Sequence, residues 1–232
     1  MRSSRRRARA GAAAALVLAC TGSVRAQDAP DWRALCDARL PPGVVEATAS
    51  ALPVEFLSDE TLAQLSSRIP HRPEERVLGV TQTHLNLAAG IRGMSLATPA
   101  GTCFRPSITI ALKLRMQVRV AAEFPHGTCA HDAVLEHERR HVQANLEQLE
   151  VTRAWLQAEL VRRHATDVVY GGSQREQVQR AEAQRQAWAK LAKQKFAEVN
   201  LVHARIDSAD EYRRTASLCH GQVARILRGG NP

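Results

Sequence analysis

The sequence predicts an α+β fold, in which a small antiparallel sheet with a long edge strand precedes a helical C-terminal half. The strand prediction rests on strict alternation, since every second residue is apolar in the series Ile108, Ile110, Leu112, Leu114, Met116, Val118 and Val120. The helical prediction rests on the segment from Ala130 onward, which is rich in Ala, Leu, Glu, Gln and Arg and has no proline before Pro232. Strands followed by helices indicate the α+β class.

The first 26 residues are typical of a secretory signal. An arginine-rich start is followed by the apolar run Ala12–Cys20, and Val24-Arg25-Ala26 forms a small-x-small cleavage site before Gln27. The apolar run is too short to cross a hydrocarbon layer of about 30 Å. The sequence therefore predicts a signal peptide over residues 1–26, a periplasmic or secreted protein and no membrane span. Cys20 ends a stretch that loosely resembles a lipoprotein box, so a lipid anchor there is the alternative.

The charge of the chain is concentrated in this leader. The 232 residues include 32 Lys and Arg against 23 Asp and Glu, and six of the arginines precede Gln27, where no acidic residue occurs. The remainder has 26 basic and 23 acidic residues. A nucleic-acid binder needs a basic patch in its folded part, so the composition excludes this class.

Four cysteines remain after the leader: Cys36, Cys103, Cys129 and Cys219. An even number in an oxidising compartment predicts two disulfides. Cys103 and Cys129 bracket the predicted strand, which holds its ends on the order of 40 Å apart, so these two are not expected to pair. Both other connectivities stay open.

The remaining segments are assigned from local signals. Residues 27–75 are predicted to form an N-terminal arm with short helices, one of which begins near the capping pattern Ser58-Asp59-Glu60-Thr61. Residues 76–232 are predicted to form one α+β domain, with Tyr170-Gly171-Gly172-Ser173 as a break between helices.

The residues with the clearest chemical meaning are His137-Glu138-Arg139-Arg140-His141, an H-E-x-x-H pattern in a run without Gly or Pro. Residues four apart share one face of a helix, so His137 and His141 can present two imidazoles to one Zn²⁺. Glu138 is rotated by about 100°, so it reaches a metal-activated water as general base rather than the metal as a ligand. The alternative is a solvated helix face on which Glu136 pairs with Arg140.

A family resemblance follows from these motifs. The leader, the short β-rich part, the H-E-x-x-H helix and the late residues Tyr212-Arg213-Arg214-Thr215 and His220-Gly221 resemble the bacterial predicted secreted zinc-dependent proteases, which are zincin-like. In that family the late segment reads Tyr-Asp-x-x-Thr-x-His-Gly. Here Arg213 replaces the Asp, and the spacing from Tyr to His is two residues longer. The resemblance implies that residues 76–232 form a zincin-like catalytic domain with a zinc cofactor and a peptide or protein substrate.

A catalytic zinc needs three protein ligands and one open position. His220 is the first candidate for the third ligand, because it precedes a glycine on a late helix that can fold back. Glu211 and His203 are the alternatives. Tyr212 is a candidate hydrogen-bond donor to an oxyanion, and Asn145, one turn after His141, is a candidate outer-shell group.

The function expected from the sequence is therefore that of an exported zinc-dependent metallopeptidase, in which Glu138 is the general base that activates the water for hydrolysis of peptide bonds. The alternative is an exported zinc-binding or scaffold protein without catalytic activity.

Overall fold

The computed structural model describes residues 31–68 and 77–229. The predicted signal peptide, its cleavage site and Cys20 lie outside the described residues. Within the described ranges the order of elements is α1 (Trp32–Arg39), β1 (Val45–Ala51), β2 (Glu55–Leu57), α2 (Leu62–Arg68), β3 (Gly79–Thr98), β4 (Gly101–Val120), α3 (Cys129–His164), β5 (Val169–Tyr170), α4 (Gln174–Phe196), a 3-10 turn (Ala197–Val199), α5 (Asn200–Ile206) and α6 (Ala209–Leu227).

The strand β4 lies in the middle of a five-stranded sheet. It pairs antiparallel with β3 along its whole length, from Gly79 opposite Val120 to Thr98 opposite Gly101. Because β3 occupies one edge of β4, the three shorter strands share the other edge. There β1 and β2 run parallel to β4, and β5 runs antiparallel near its start. Among the described strands, only β4 pairs with β3, so β3 is an edge strand.

The predicted α+β fold with a small antiparallel sheet and a long edge strand is therefore wrong. The sheet has five strands, it includes parallel pairs, and the long alternating strand is its centre, so the protein is of the α/β class overall. The physical reason is that period-two alternation reports which faces of a strand are buried and not which neighbours its edges have. The sequence of β1, Val-Glu-Ala-Thr-Ala-Ser-Ala, carries too few large apolar residues to stand out as a partner.

The predicted division of β4 into one buried and one wet face is confirmed. Its seven alternating apolar side chains are at most 2% exposed, and the residues between Thr109 and Arg115 on the other face are exposed. The helix α3 packs on the buried face, where Val142, Leu149, Leu156 and Leu160 join the same core cluster. Full burial of each such side chain contributes about 1.5–3 kcal/mol, so this contact anchors α3 to the sheet.

The predicted helical run after residue 130 is also confirmed, because α3 spans 36 residues without a break. Thr128 caps its start by accepting a hydrogen bond from the backbone N–H of His131. A second apolar cluster, which includes Phe124, Val134, Val223 and Ile226, packs α6 against the first part of α3 at the end of β4. This packing brings the C-terminal helices over the H-E-x-x-H turns.

Two disulfides link distant parts of the chain, as predicted, and Cys103 does not pair with Cys129. Cys36–Cys103 ties α1 to β4, and Cys129–Cys219 ties the first residue of α3 to α6. The first bond is fully buried, whereas Cys129 is exposed. None of the helices within residues 31–68 and 77–229 has both the length and the apolar character needed to cross a membrane.

The described part of the predicted N-terminal arm contributes α1 and α2 and also the strands β1 and β2, which both pair with β4. This segment thus shares its sheet with residues 79–120.

Candidate metal centre

The H-E-x-x-H turns of α3 place two imidazoles side by side. The Nε2 atoms of His137 and His141 lie 3.3 Å apart, and each residue is 8% exposed. The four-residue spacing puts both rings on the same face of α3, and the face looks toward α5 and α6 rather than toward bulk water. The predicted pairing of these two histidines is present in the structure.

Asp207 completes a triangle of donor atoms. Its Oδ1 lies 3.1 Å from Nε2 of His137 and 3.0 Å from Nε2 of His141. The chain turns here because α5 ends at Ile206 and Ser208 caps the start of α6. Partial burial acts to raise the pKa of Asp207, but hydrogen bonds from the two histidines outweigh it and hold that pKa well below its usual value.

The spacing of the three donors fits a tetrahedral metal ion. In a tetrahedral zinc site with ligand distances of about 2.0–2.1 Å, neighbouring donors lie about 3.3 Å apart. The three separations here range from 3.0 to 3.3 Å. Two imidazole nitrogens and one carboxylate oxygen also form a donor set that zinc binds in catalytic sites. His137, His141 and Asp207 form the one group of three or more such side chains found among the described residues.

Glu138 lies beside this triangle and is almost fully buried, at 4% exposed. Its Oε2 accepts a hydrogen bond of 2.7 Å from the hydroxyl of Thr81 on β3. Burial raises the pKa of Glu138 to about 7, although the hydrogen bond from Thr81 and the nearby His141 act in the opposite direction. The carboxyl group is thus almost fully shielded from solvent, and Glu138 lines the same cleft as His137, His141 and Asp207.

The far side of each imidazole has its own polar partner. Nδ1 of His141 lies 2.9 Å from Nδ1 of His203, so one of these two nitrogens carries the hydrogen that joins them. Nδ1 of His137 lies 3.1 Å from Nη2 of Arg140 and 3.8 Å from Oε1 of Glu211. Asn145 donates a hydrogen bond of 2.8 Å to the backbone carbonyl of His141. The contacts at Nδ1 bear on the ring orientations, and Arg140 can donate to Nδ1 of His137 only while the hydrogen of that ring is on Nε2.

Glu211 joins two arginines at this site. Hydrogen bonds from Arg214 and Arg140 lower its pKa to about 2. Arg140 therefore turns inward to Glu211, which differs from the exposed pairing with Glu136 in the solvated-face alternative.

The candidates for a third ligand are distributed differently from the sequence expectation. His220 is exposed, follows the disulfide-bonded Cys219 and is not a member of the triangle. Glu211 and His203 lie behind the rings, at the nitrogens that face away from the triangle. Asp207 is the third member of the triangle instead. It was not among the candidates named from the sequence, and an acidic residue between two helices is the signal that could have drawn attention to it.

A cleft of about 400 Å³ opens over the triangle. One wall consists of Val77, Leu78 and the first residues of β3, and the other comes from α3, α5 and α6. Tyr212 and Thr215 of α6 line it, and the Tyr212 ring centroid lies 6.0 Å from that of His137. Thr215 is 3% exposed, and its hydroxyl has no hydrogen-bond partner among the described residues.

Comparison of the chain with protein-family models, with curated proteins and with solved structures finds no match.

Proposed function

We propose that the protein is an exported zinc metallopeptidase in which His137, His141 and Asp207 hold the metal and Glu138 is the general base. The observation that carries this proposal is the triangle of donor atoms with edges of 3.0–3.3 Å at the floor of the cleft. In this proposal Asp207 takes the place that the sequence analysis gave to His220.

The chemistry divides between the metal and the buried carboxylate. A zinc ion bound by the three donors would supply Lewis acidity that acidifies a water and polarises a substrate carbonyl. Glu138 receives the proton of the attacking water and then delivers it to the leaving amine. A carboxyl group whose pKa lies near 7 can both take up and release a proton at neutral pH.

The substrate is proposed to be an extended peptide that pairs with the free edge of β3. The start of this strand lines the cleft, and its outer edge has no partner among the described strands. An unpaired edge offers backbone N–H and C=O groups to an added strand. The long strand that the sequence predicted at the edge of the sheet is β4, and because β4 is paired on both sides, only β3 of these two strands offers an open edge.

We also propose that the protein is exported to an oxidising compartment. Two disulfides are present, and such bonds persist in oxidising compartments. This supports a periplasmic or secreted protein and agrees with the secretory signal predicted from the sequence.

Metal analysis combined with peptide hydrolysis tests the proposal. We expect purified protein to contain about one zinc per chain and to hydrolyse unstructured peptides, with loss of activity on chelation and recovery on addition of zinc. Glu138→Gln is expected to keep the zinc and lose hydrolysis. Glu147→Gln, on an exposed turn of the same helix, is the matched control and should keep both.

The outcomes separate the enzyme from the non-catalytic alternative. Protein that neither contains zinc nor takes it up contradicts the metal centre. Zinc binding by wild type without hydrolysis of any peptide in a diverse library supports the zinc-binding protein without activity. Equal rates of hydrolysis by wild type and Glu138→Gln would contradict the role of Glu138 as general base.

A further inference from the structure

We propose that Gly79 and Thr81, at the start of β3, are positioning residues that hold Glu138 in its reactive orientation. This inference rests on the proposed function, because it assigns a role toward the general base of that site. Neither residue is expected to influence metal binding directly, since both contact Glu138 and not the donor atoms of the triangle.

The two residues act together because of their spacing. Residues two apart in a strand point to the same face, so Gly79 and Thr81 both face α3, whereas Val80 points away. Antiparallel pairing of β3 with β4 fixes the register of the two residues, with Gly79 opposite Val120 and Thr81 opposite Val118.

Thr81 supplies the hydrogen bond. Its hydroxyl lies 2.7 Å from Oε2 of Glu138 and 3.2 Å from the backbone carbonyl oxygen of the same residue. A hydroxyl has one hydrogen, and the shorter distance assigns it to the carboxylate. The β-branched side chain has a restricted χ1 angle, so the donor is held in place. Oε1 of Glu138 is then the oxygen left to handle the proton.

Gly79 supplies the space on the other side. A Cβ atom at this position would lie 2.8 Å from Oε1 and 3.0 Å from Cγ of Glu138, and 3.0 Å from the carbonyl oxygen of Arg119. The backbone of β4 cannot yield, so any side chain at residue 79 pushes the Glu138 carboxylate out of place. The glutamate thus packs directly against the bare backbone of the edge strand.

The experiment compares matched substitutions on β3. Thr81→Val keeps the shape and removes the hydroxyl, Thr81→Ser restores it, and Gly79→Ala adds the Cβ. The controls are Thr83→Val and Gly90→Ala. Thr83 lies on the same face two residues beyond Thr81, and a Cβ at Gly90 would lie 3.0 Å from the hydroxyl of Thr109 and would not touch Glu138.

We expect kcat to fall by about 10–100-fold in Thr81→Val and in Gly79→Ala, because a misplaced base loses much of its contribution to the rate. KM and zinc content should stay within about twofold of wild type. A larger change in either quantity would indicate an effect on the binding of substrate or metal instead. Thr81→Ser should recover most of the activity. Wild-type kcat in Thr81→Val, or loss of zinc from it, overturns the inference.

A second measurement does not depend on activity and separates this inference from the proposed function. In the metal-free protein, Thr81→Val should lower the unfolding midpoint of wild type more than that of a Glu138→Ala background, since only wild type has the bond to lose. Equal shifts in both backgrounds overturn the contact, whether or not the protein hydrolyses peptides. Absence of zinc binding with unequal shifts contradicts the proposed function and leaves the contact standing.

Discussion

Nδ1 of His141 lies 2.9 Å from Nδ1 of His203, although 62 residues separate the two in the chain. A metal on Nε2 of His141 requires the hydrogen of that ring on Nδ1, and His203 is then its acceptor. Outer partners of this kind fix the tautomer and orientation of a metal-binding imidazole. Burial, followed by the charge of His141, lowers the pKa of His203, which favours the neutral ring that can accept this hydrogen.

Replacement of His203 tests this outer contact. We expect His203→Ala to lower zinc affinity by about 10–100-fold, the range seen when an outer partner of a metal ligand is removed. The measurement is competition with a chelator of known affinity. His84→Ala is the control, because His84 is an exposed histidine on the outer face of the sheet. Unchanged affinity in His203→Ala contradicts the assignment.

The identity of the third ligand is tested by two alanine substitutions. Asp207→Ala should lower zinc affinity more than His203→Ala does, so by more than about 100-fold, because a donor atom and not only its support is lost. His220→Ala should leave the affinity unchanged. Asp210→Ala, three residues along and exposed, controls for the loss of an acidic group near the site. The reverse order of effects would return the third position to His220.

The stability of the metal-free protein should depend on pH through Glu138. Its pKa rises from an ordinary value of 4.5 to about 7 in the folded state, chiefly because of burial. The folded state therefore holds the proton more tightly, and stability is complete below pH 4.5 and falls as pH rises toward 7. The difference between these limits is about 3 kcal/mol.

Glu138→Gln removes this dependence, so the variant should be more stable than wild type at pH 8 and similar to it near pH 4.5. Urea unfolding in the presence of a chelator at several pH values measures the difference. Parallel stability curves for the two proteins would show that burial of the carboxyl group has no such cost.

Replacement of Thr215 tests whether this residue contacts the substrate, and the same replacement at Thr152 is the control. Both Thr215 and Thr152 are buried, and neither hydroxyl has a hydrogen-bond partner among the described residues. Replacement by the isosteric valine removes an unsatisfied group, so each variant should be more stable by about 1 kcal/mol. Only Thr215 lines the cleft, and only Thr215→Val should raise KM for peptides. Equal KM values in both variants would exclude a contact between Thr215 and the substrate.

The two disulfides should differ in their response to reductant. Both sulfurs of Cys36–Cys103 are fully buried, whereas Cys129 of the other pair is exposed. A mild dithiol should therefore open Cys129–Cys219 first, as mass spectrometry after alkylation can follow. The intact Cys129–Cys219 bond closes a loop with a sequence separation of 90 residues, so its reduction should cost about 4.6 kcal/mol of stability. Simultaneous opening of both bonds would contradict this order.

Part of the site was predictable because its signals are local. The spacing of His137 and His141 and the unbroken helical run specify one face of α3 without any knowledge of the rest of the fold. Alternation in β4 likewise identified its buried face. Such patterns depend only on the geometry of a single element.

Other features depend on contacts between distant segments. Asp207 reaches the triangle because α6 packs against α3, and no pattern around residue 207 specifies that packing. The central place of β4 depends on β1 and β2, whose short sequences carry little periodicity of their own. Thr81 meets Glu138 only through the register of β3 on β4. These relationships lie in the tertiary structure, so the sequence pattern did not reveal them.

The hairpin of β3 and β4 has a consequence for how the site tolerates insertions and deletions. Its turn is only Pro99 and Ala100, and every pairing from Thr98–Gly101 down to Gly79–Val120 is counted from that turn. A shift of one residue reverses which side chains of β3 face α3. Lengthening the turn by a single residue, roughly 60 Å of strand away from the cleft, would turn the Thr81 hydroxyl to the opposite side and separate it from its glutamate. The length of this distant turn therefore decides whether Thr81 can reach Glu138.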